Sequence, residues 1–277
     1  MNVKENLRSH LVEIARQRDP YIASFRHFCV SKYICDSLKK WGKVEIHSFK
    51  ARGKTHENIV LNLPGLAAEP PILIGAHYDA VPGSPGADDN ATGVAALLEL
   101  ARIFAEKPAR YPLRLVAFDL EENGLLGSTA YAQELKEKRE SLRLMIALEM
   151  LGYCDPTPGS QLYPSGLKHF YSDRGDFIAL VGNFATIFDL IHLSGQIQKS
   201  GIPCQWLPVP FGGEIVPDTR RSDHAPFWDN GYPALMVTDT ANMRNPHYHK
   251  PSDTIETLDL DFFTGVCKGL VASIRSL

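Results

Sequence analysis

Residues 71–106 read PILIGAHYDAVPGSPGADDNATGVAALLELARIFAE, and the fold turns on this stretch. Its first ten residues form a short apolar run without alternation, the pattern of a strand covered on both faces. A proline- and glycine-rich turn follows. From Ala91 the period changes, placing Val94, Leu97, Leu98, Ala101 and Phe104 on one helical stripe, with Asn90 or Thr92 as cap. Similar apolar runs recur at 113–122, 142–151 and 233–239. Helical patterns lie near 3–17, 22–41 and 183–199, and along the C-terminal segment through Phe262, Val266, Leu270 and Ile274. VEIHSF (44–49) and NIVLNL (58–63) read as an early strand pair. Alternating strands and helices predict an α/β chain: a single-domain three-layer sandwich over residues 1–277, with a mostly parallel mixed sheet and N-terminal helices (1–42) packed onto it. The polar stretches 152–178 and 207–222 read as loops.

Composition narrows the function. The chain has 277 residues, 44% of them hydrophobic, and 29 basic against 32 acidic side chains spread along its length. No basic patch marks a nucleic-acid partner. No apolar run approaches a membrane span, and the charged N-terminus lacks the core of a secretory signal, so a cytoplasmic protein is expected. Cys29, Cys35, Cys154, Cys204 and Cys267 are scattered, without a close C-x-x-C pair. That argues against a disulfide framework and against a cysteine metal site.

In open α/β sheets, ligands bind beyond the carboxyl ends of the strands. The first apolar run ends in His77, Tyr78 and Asp79, the second in Asp119, Glu121 and Glu122, and the third in Glu149. GADDNATG (86–93) adds Asp88 and Asp89, and NPHYHKPSDT (245–254) adds His247 and His249. No lysine or arginine ends these runs. Such a convergence of negative charge calls for a cation. Mixed histidine and carboxylate donors suit zinc, whereas all-oxygen sets suit calcium or magnesium. Five ligand candidates exceed one tetrahedral catalytic site but serve two ions if a carboxylate bridges, a part Asp88 can take while Asp89 turns away.

HYD (77–79), GADDNATG, EENGLLGS (121–128), EMLGY (149–153), SDHAPF (222–227) and HKPSDT (249–254) together resemble the co-catalytic dizinc aminopeptidase family, which includes bacterial leucine aminopeptidases, glutamate carboxypeptidases and glutaminyl cyclases. The resemblance runs from about residue 57 to the C-terminus. It implies two Zn2+ ions, one held by His77, Asp88 and Glu149 and the other by Asp88, Glu122 and His249. It also implies Glu121 as general base, Asp79 as the carboxylate orienting His77, and a cis peptide between Asp88 and Asp89. His247 competes with His249, since alternate residues of an extended segment face one way.

The expected activity is metal-dependent hydrolysis of a peptide or aminoacyl substrate at its chain end, as an aminopeptidase. A glutaminyl cyclase-like acyltransferase, a dipeptidase or carboxypeptidase, and a non-catalytic binding module are the alternatives. Asp173 and Asp176 are candidates for meeting a substrate amine, and Arg220 and Arg221 for a substrate carboxylate. Ser222, Asp223 and His224 are expected to order the pocket wall.

Overall fold

Strand β3 (Ile72–His77) is buried along its whole length, as its unbroken apolar run requires. In a computed structural model, which describes residues 2–163 and 167–277, it lies inside an eight-stranded sheet. The other strands are β1 (Val44–Ala51), β2 (Lys54–Leu63), β4 (Leu113–Phe118), β5 (Leu144–Glu149), β6 (Ile178–Asn183), β7 (Cys204–Val209) and β8 (Ala234–Thr238). Their order is β1-β2-β4-β3-β5-β8-β6-β7. The inner four, β4, β3, β5 and β8, run parallel. β1 and β2 join antiparallel at one side, and β6 pairs antiparallel with β8 at the other. The sheet is therefore mixed, with its parallel part at the centre.

Helices cover both faces. On one lie α1 (Val3–Ile14), α2 (Ser24–Leu38), α3 (Gly93–Glu106), α5 (Ile187–Lys199) and α7 (Leu260–Ser276), whose apolar residues form one core with Ile72, Ile74 and Ala76 of β3. On the other lie α4 (Leu126–Glu137) and the short α6 (His224–Asp229), over Leu73, Val116 and Phe118. The stripe predicted for α3 is buried, and so is that of α7. Helix α1 packs on α3 and α7, so the N-terminal helices are part of the sandwich. No helix among the described residues is long and apolar enough to cross a membrane.

The structure corrects several boundaries. β6 and β7 fill stretches to which the sequence pattern assigns mostly nothing, overlapping the expected loops only at 178 and 207–209 and the expected helix only at 183; Pro208 makes CQWLPV look unlike a strand. Proline is tolerated there because β7 is an edge strand. Helix α4 has only a weak apolar stripe and was not evident in the pattern. The loop reading of 152–178 spans residues 164–166, which lie outside the described residues. The central strands also stop earlier than their apolar runs, so Asp79, Glu121 and Glu122 sit in turns beyond the sheet.

Gly75 shows how tightly the centre is packed. A methyl group there would lie 2.3 Å from the Phe118 ring, so Gly75→Ala must displace that ring. Overpacking of this kind destabilises by about 1–3 kcal/mol; denaturant titration should show such a loss.

Candidate metal centre

Because β3, β4, β5 and β8 are parallel, their carboxyl ends share one rim. His77 is the last residue of β3 and Glu149 the last of β5. Between them, the 86–92 turn projects Asp89, whose Oδ1 lies 3.3 Å from His77 Nε2 and whose Oδ2 lies 3.1 Å from His249 Nε2. Glu149 Oε2 is 3.6 Å from His77 Nε2, and Glu122 Oε2 is 3.2 Å from His249 Nε2. Donor atoms of His77, Asp89 and Glu149 converge, as do those of Asp89, Glu122 and His249. Glu121 reaches within 4.0 Å of His77 Nε2.

The expectation of Asp88 at the centre is corrected. Its carboxylate turns into the protein, where Oδ1 accepts from Gly152 N–H at 2.9 Å and Oδ2 from the Asn245 amide at 2.7 Å. Asp89 faces the rim instead, and the cis peptide joins Asp89 to Asn90. Two adjacent aspartates look alike in sequence; the direction of the turn separates them. Asp253 sets that direction, its two oxygens accepting the backbone N–H groups of Asp88 and Asp89 at 2.9 and 3.1 Å. Asn90 braces the turn from the other side: its amide donates to Leu148 O, and its oxygen accepts from Gly93 and Met150 N–H.

Asp79 is fully buried and accepts the backbone N–H groups of Glu121 and Glu122, both at 3.1 Å, while facing His77 Nδ1 at 3.4 Å. One carboxylate thus fixes the 121–122 turn and confronts the imidazole. Ser222 donates to Glu149 Oε2 at 2.7 Å. Asp223 is buried nearby with one oxygen unpartnered, and His224 is held by Thr219 O. Leu120, Met150 and His249 adopt left-handed backbone (φ 59°, 48° and 58°), at about 1–3 kcal/mol each for non-glycine residues. Strained backbone at three positions on one rim marks a site whose side-chain directions are imposed by their surroundings.

The remaining candidates separate cleanly. The segment carrying His247 and His249 is a turn, so the alternation argument does not apply; His247 Nδ1 meets Ser252 at the surface, outside the cluster. Asp119 is engaged elsewhere, by His27 and His56 at 2.8 and 3.0 Å. Arg220 is paired with Asp229. Arg221 lies against the Tyr248 ring and lines an apolar cavity that begins at Glu149. Asp173 and Asp176 are not among that cavity's lining residues. A cation that sequence reasoning missed also stands behind the rim: Arg18, fully buried, donates to Asp89 O. Nothing in QRDP signals this role, since a basic residue there reads as solvated surface.

The charged groups of the cluster strain against one another. Burial raises Glu121 well above the usual glutamate pKa and Glu122 to about 7, with like-charged neighbours adding to the effect. Burial opposes protonation of His77, yet Glu121, Glu149 and the neighbouring aspartates raise its pKa well above the ordinary value. His249 is likewise pushed up to about 10 by Asp89 and Glu122 against its own burial. Glu122 Oε1 is buried without a hydrogen-bond partner. Divalent cations, placed between imidazole and carboxylate oxygens, satisfy what protons here satisfy poorly, and the mixed donor set fits zinc.

Comparison with known proteins gives the family. The model of peptidase family M28 matches residues 58–186 and 207–272. The chain belongs to peptidase family M28. Among M28-like relatives, the uncharacterized protein YfbL of Escherichia coli is 39% identical over 79% of this chain and 70% of its own length. Aminopeptidase YwaD of Bacillus subtilis is 31% identical over 73% of this chain but only 40% of its own length. A solved Bacillus subtilis zinc aminopeptidase, BSAP, superposes with a TM-score of 0.61 at 26% identity, covering 81% of this chain and 51% of that one. M28 membership makes this chain a hydrolase of the peptidase class, although it spans only 40% of the length of YwaD and 51% of that of BSAP.

The bracing of the turn predicts a stability effect. Asn90→Ala removes the side-chain partner of the buried Met150 N–H and one partner each from Gly93 N–H and Leu148 O, an expected loss of about 1–3 kcal/mol. Denaturant titration checks it, and a loss below about 1 kcal/mol would show that the turn holds without Asn90.

Proposed function

We propose that this protein is a zinc-dependent aminopeptidase, with His77, Asp89 and Glu149 holding one Zn2+ and Asp89, Glu122 and His249 a second. The carrying observation is the Asp89 carboxylate, whose two oxygens face the two imidazoles at 3.3 and 3.1 Å. The zinc aminopeptidase of Bacillus subtilis supports the choice of metal. Zinc supplies Lewis acidity toward the scissile carbonyl and acidifies water into the neutral range.

The chain's own residues do the rest. Glu121, at the rim but outside both donor triads built on Asp89, is the general base: its carboxylate takes a proton from the attacking water and returns it to the leaving amine. Asp79 holds the backbone of Glu121, fixing the base relative to His77. The cavity beginning at Glu149 is walled by Tyr163, Tyr171, Phe177, Trp206, Met236 and Tyr248. An apolar lining of that size favours a large apolar or aromatic side chain on the N-terminal residue of the substrate. Among its lining residues Arg221 is the one Lys or Arg, and it donates to the Tyr248 hydroxyl at 3.3 Å.

The test is metal content and turnover on one preparation. Two zinc ions per chain and hydrolysis of leucyl and phenylalanyl amides are expected, in preference to glycyl ones. Glu121→Gln should keep both metals and lose about 10²–10⁴-fold in kcat. Asp89→Asn should release zinc, whereas Asp88→Asn should retain it. One zinc per chain together with ring closure of N-terminal glutamine peptides would establish acyl transfer instead.

A further inference from the structure

We infer that Arg18 is a positioning residue of this centre, one side chain from the N-terminal segment gripping both backbone stretches that carry the proposed ligands His77 and Asp89; the inference rests on the zinc reading above. Residue 18 lies outside the stretches matched by the family model. Its guanidinium is fully buried, and its five N–H groups are shared among six backbone carbonyl oxygens. Nε donates at 2.8 Å to Tyr78 O, the carbonyl of the Tyr78–Asp79 peptide, one residue beyond His77. The Nη atoms donate to Pro85 O, to Gly86 O at 2.9 Å and to Asp89 O at 3.2 Å. Further bonds to Ile14 O and Arg16 O tie the fork to the end of α1.

The close approach is built into the turn. A Cβ on Gly86 would stand 2.9 Å from both Nη atoms and 2.2 Å from Asp89 O, and Gly86 itself has φ +58°. A planar fork with five fixed donors is suited to setting several carbonyls at once, which a lysine ammonium is not. Arg18 touches no carboxylate, since none lies within ion-pair distance among the described residues. Burial opposes its charge and lowers its pKa, while Asp89, Asp253, Asp79 and Glu122 around it favour the charged form. Arg18 is thus a buried cation standing directly behind the acidic rim.

The experiment uses the full chain and reads zinc affinity by competition with a chelator, well below the melting temperature, alongside kcat and KM on a leucyl amide. Arg18→Met should bind zinc about 10–100-fold more weakly, with kcat falling by a similar factor and KM changing little. Arg18→Lys, which keeps the charge and loses the fork, should fall in between. Leu11→Ala, in the buried face of α1, should lower the melting temperature and leave zinc affinity unchanged. Wild-type zinc affinity and kcat in a folded Arg18→Met would overturn the assignment while leaving the zinc reading intact. If Arg18→Met does not fold, Arg18→Lys decides alone, and zinc affinity within about twofold of wild type overturns it. A wild-type chain that binds no zinc overturns the zinc reading, and this assignment with it.

Discussion

Mutual repulsion among carboxylates at the end of a parallel sheet is the constraint on which the rest of this structure depends. Parallel strands deliver their last residues to one edge, and here those residues and the turns after them bring aspartate and glutamate together out of water. Burial makes each charge harder to sustain, and proximity compounds the effect. Everything nearby reads as a response to that tension. Asp253 and Asn90 hold the aspartate turn by its backbone, Asp79 holds the glutamate turn, and Ser222 donates to Glu149.

The supporting bonds run mostly from side chain to backbone rather than from side chain to side chain. Arg18, Asp253, Asp79 and Asn90 all work in this way. Fixing the main chain on both sides of a reactive group restricts its rotamers and leaves its own polar atoms available. The left-handed backbone at Leu120, Met150 and His249 fits the same scheme, since local conformational preference is overruled where direction matters.

Much of this was legible in the sequence. The change from an unbroken apolar run to a helical period at residues 71–106 carried the α/β class, and the residues closing each run carried most of the rim. What stayed hidden was hidden for physical reasons. Asp88 and Asp89 differ only in how the turn rotates them, which depends on Asp253 and Gly152, distant in the chain. Arg18 has no local signature, because the carbonyls through which it holds the rim lie some 60 residues and more away in the chain. The β6–β7 edge was obscured by Pro208, and α4 by its weak amphipathicity.

The apolar cavity and the acidic rim are made from different pieces of chain. The cavity's walls come largely from β6, β7, Gln161, Tyr163, Tyr171, Phe177 and residues 240–243, whereas the rim belongs to β3, β5 and the turns that follow β3, β4 and β5. Glu149 and Tyr248 are where the two meet. Such a division means that substitutions in the walls can reshape the cavity while leaving the acidic rim undisturbed.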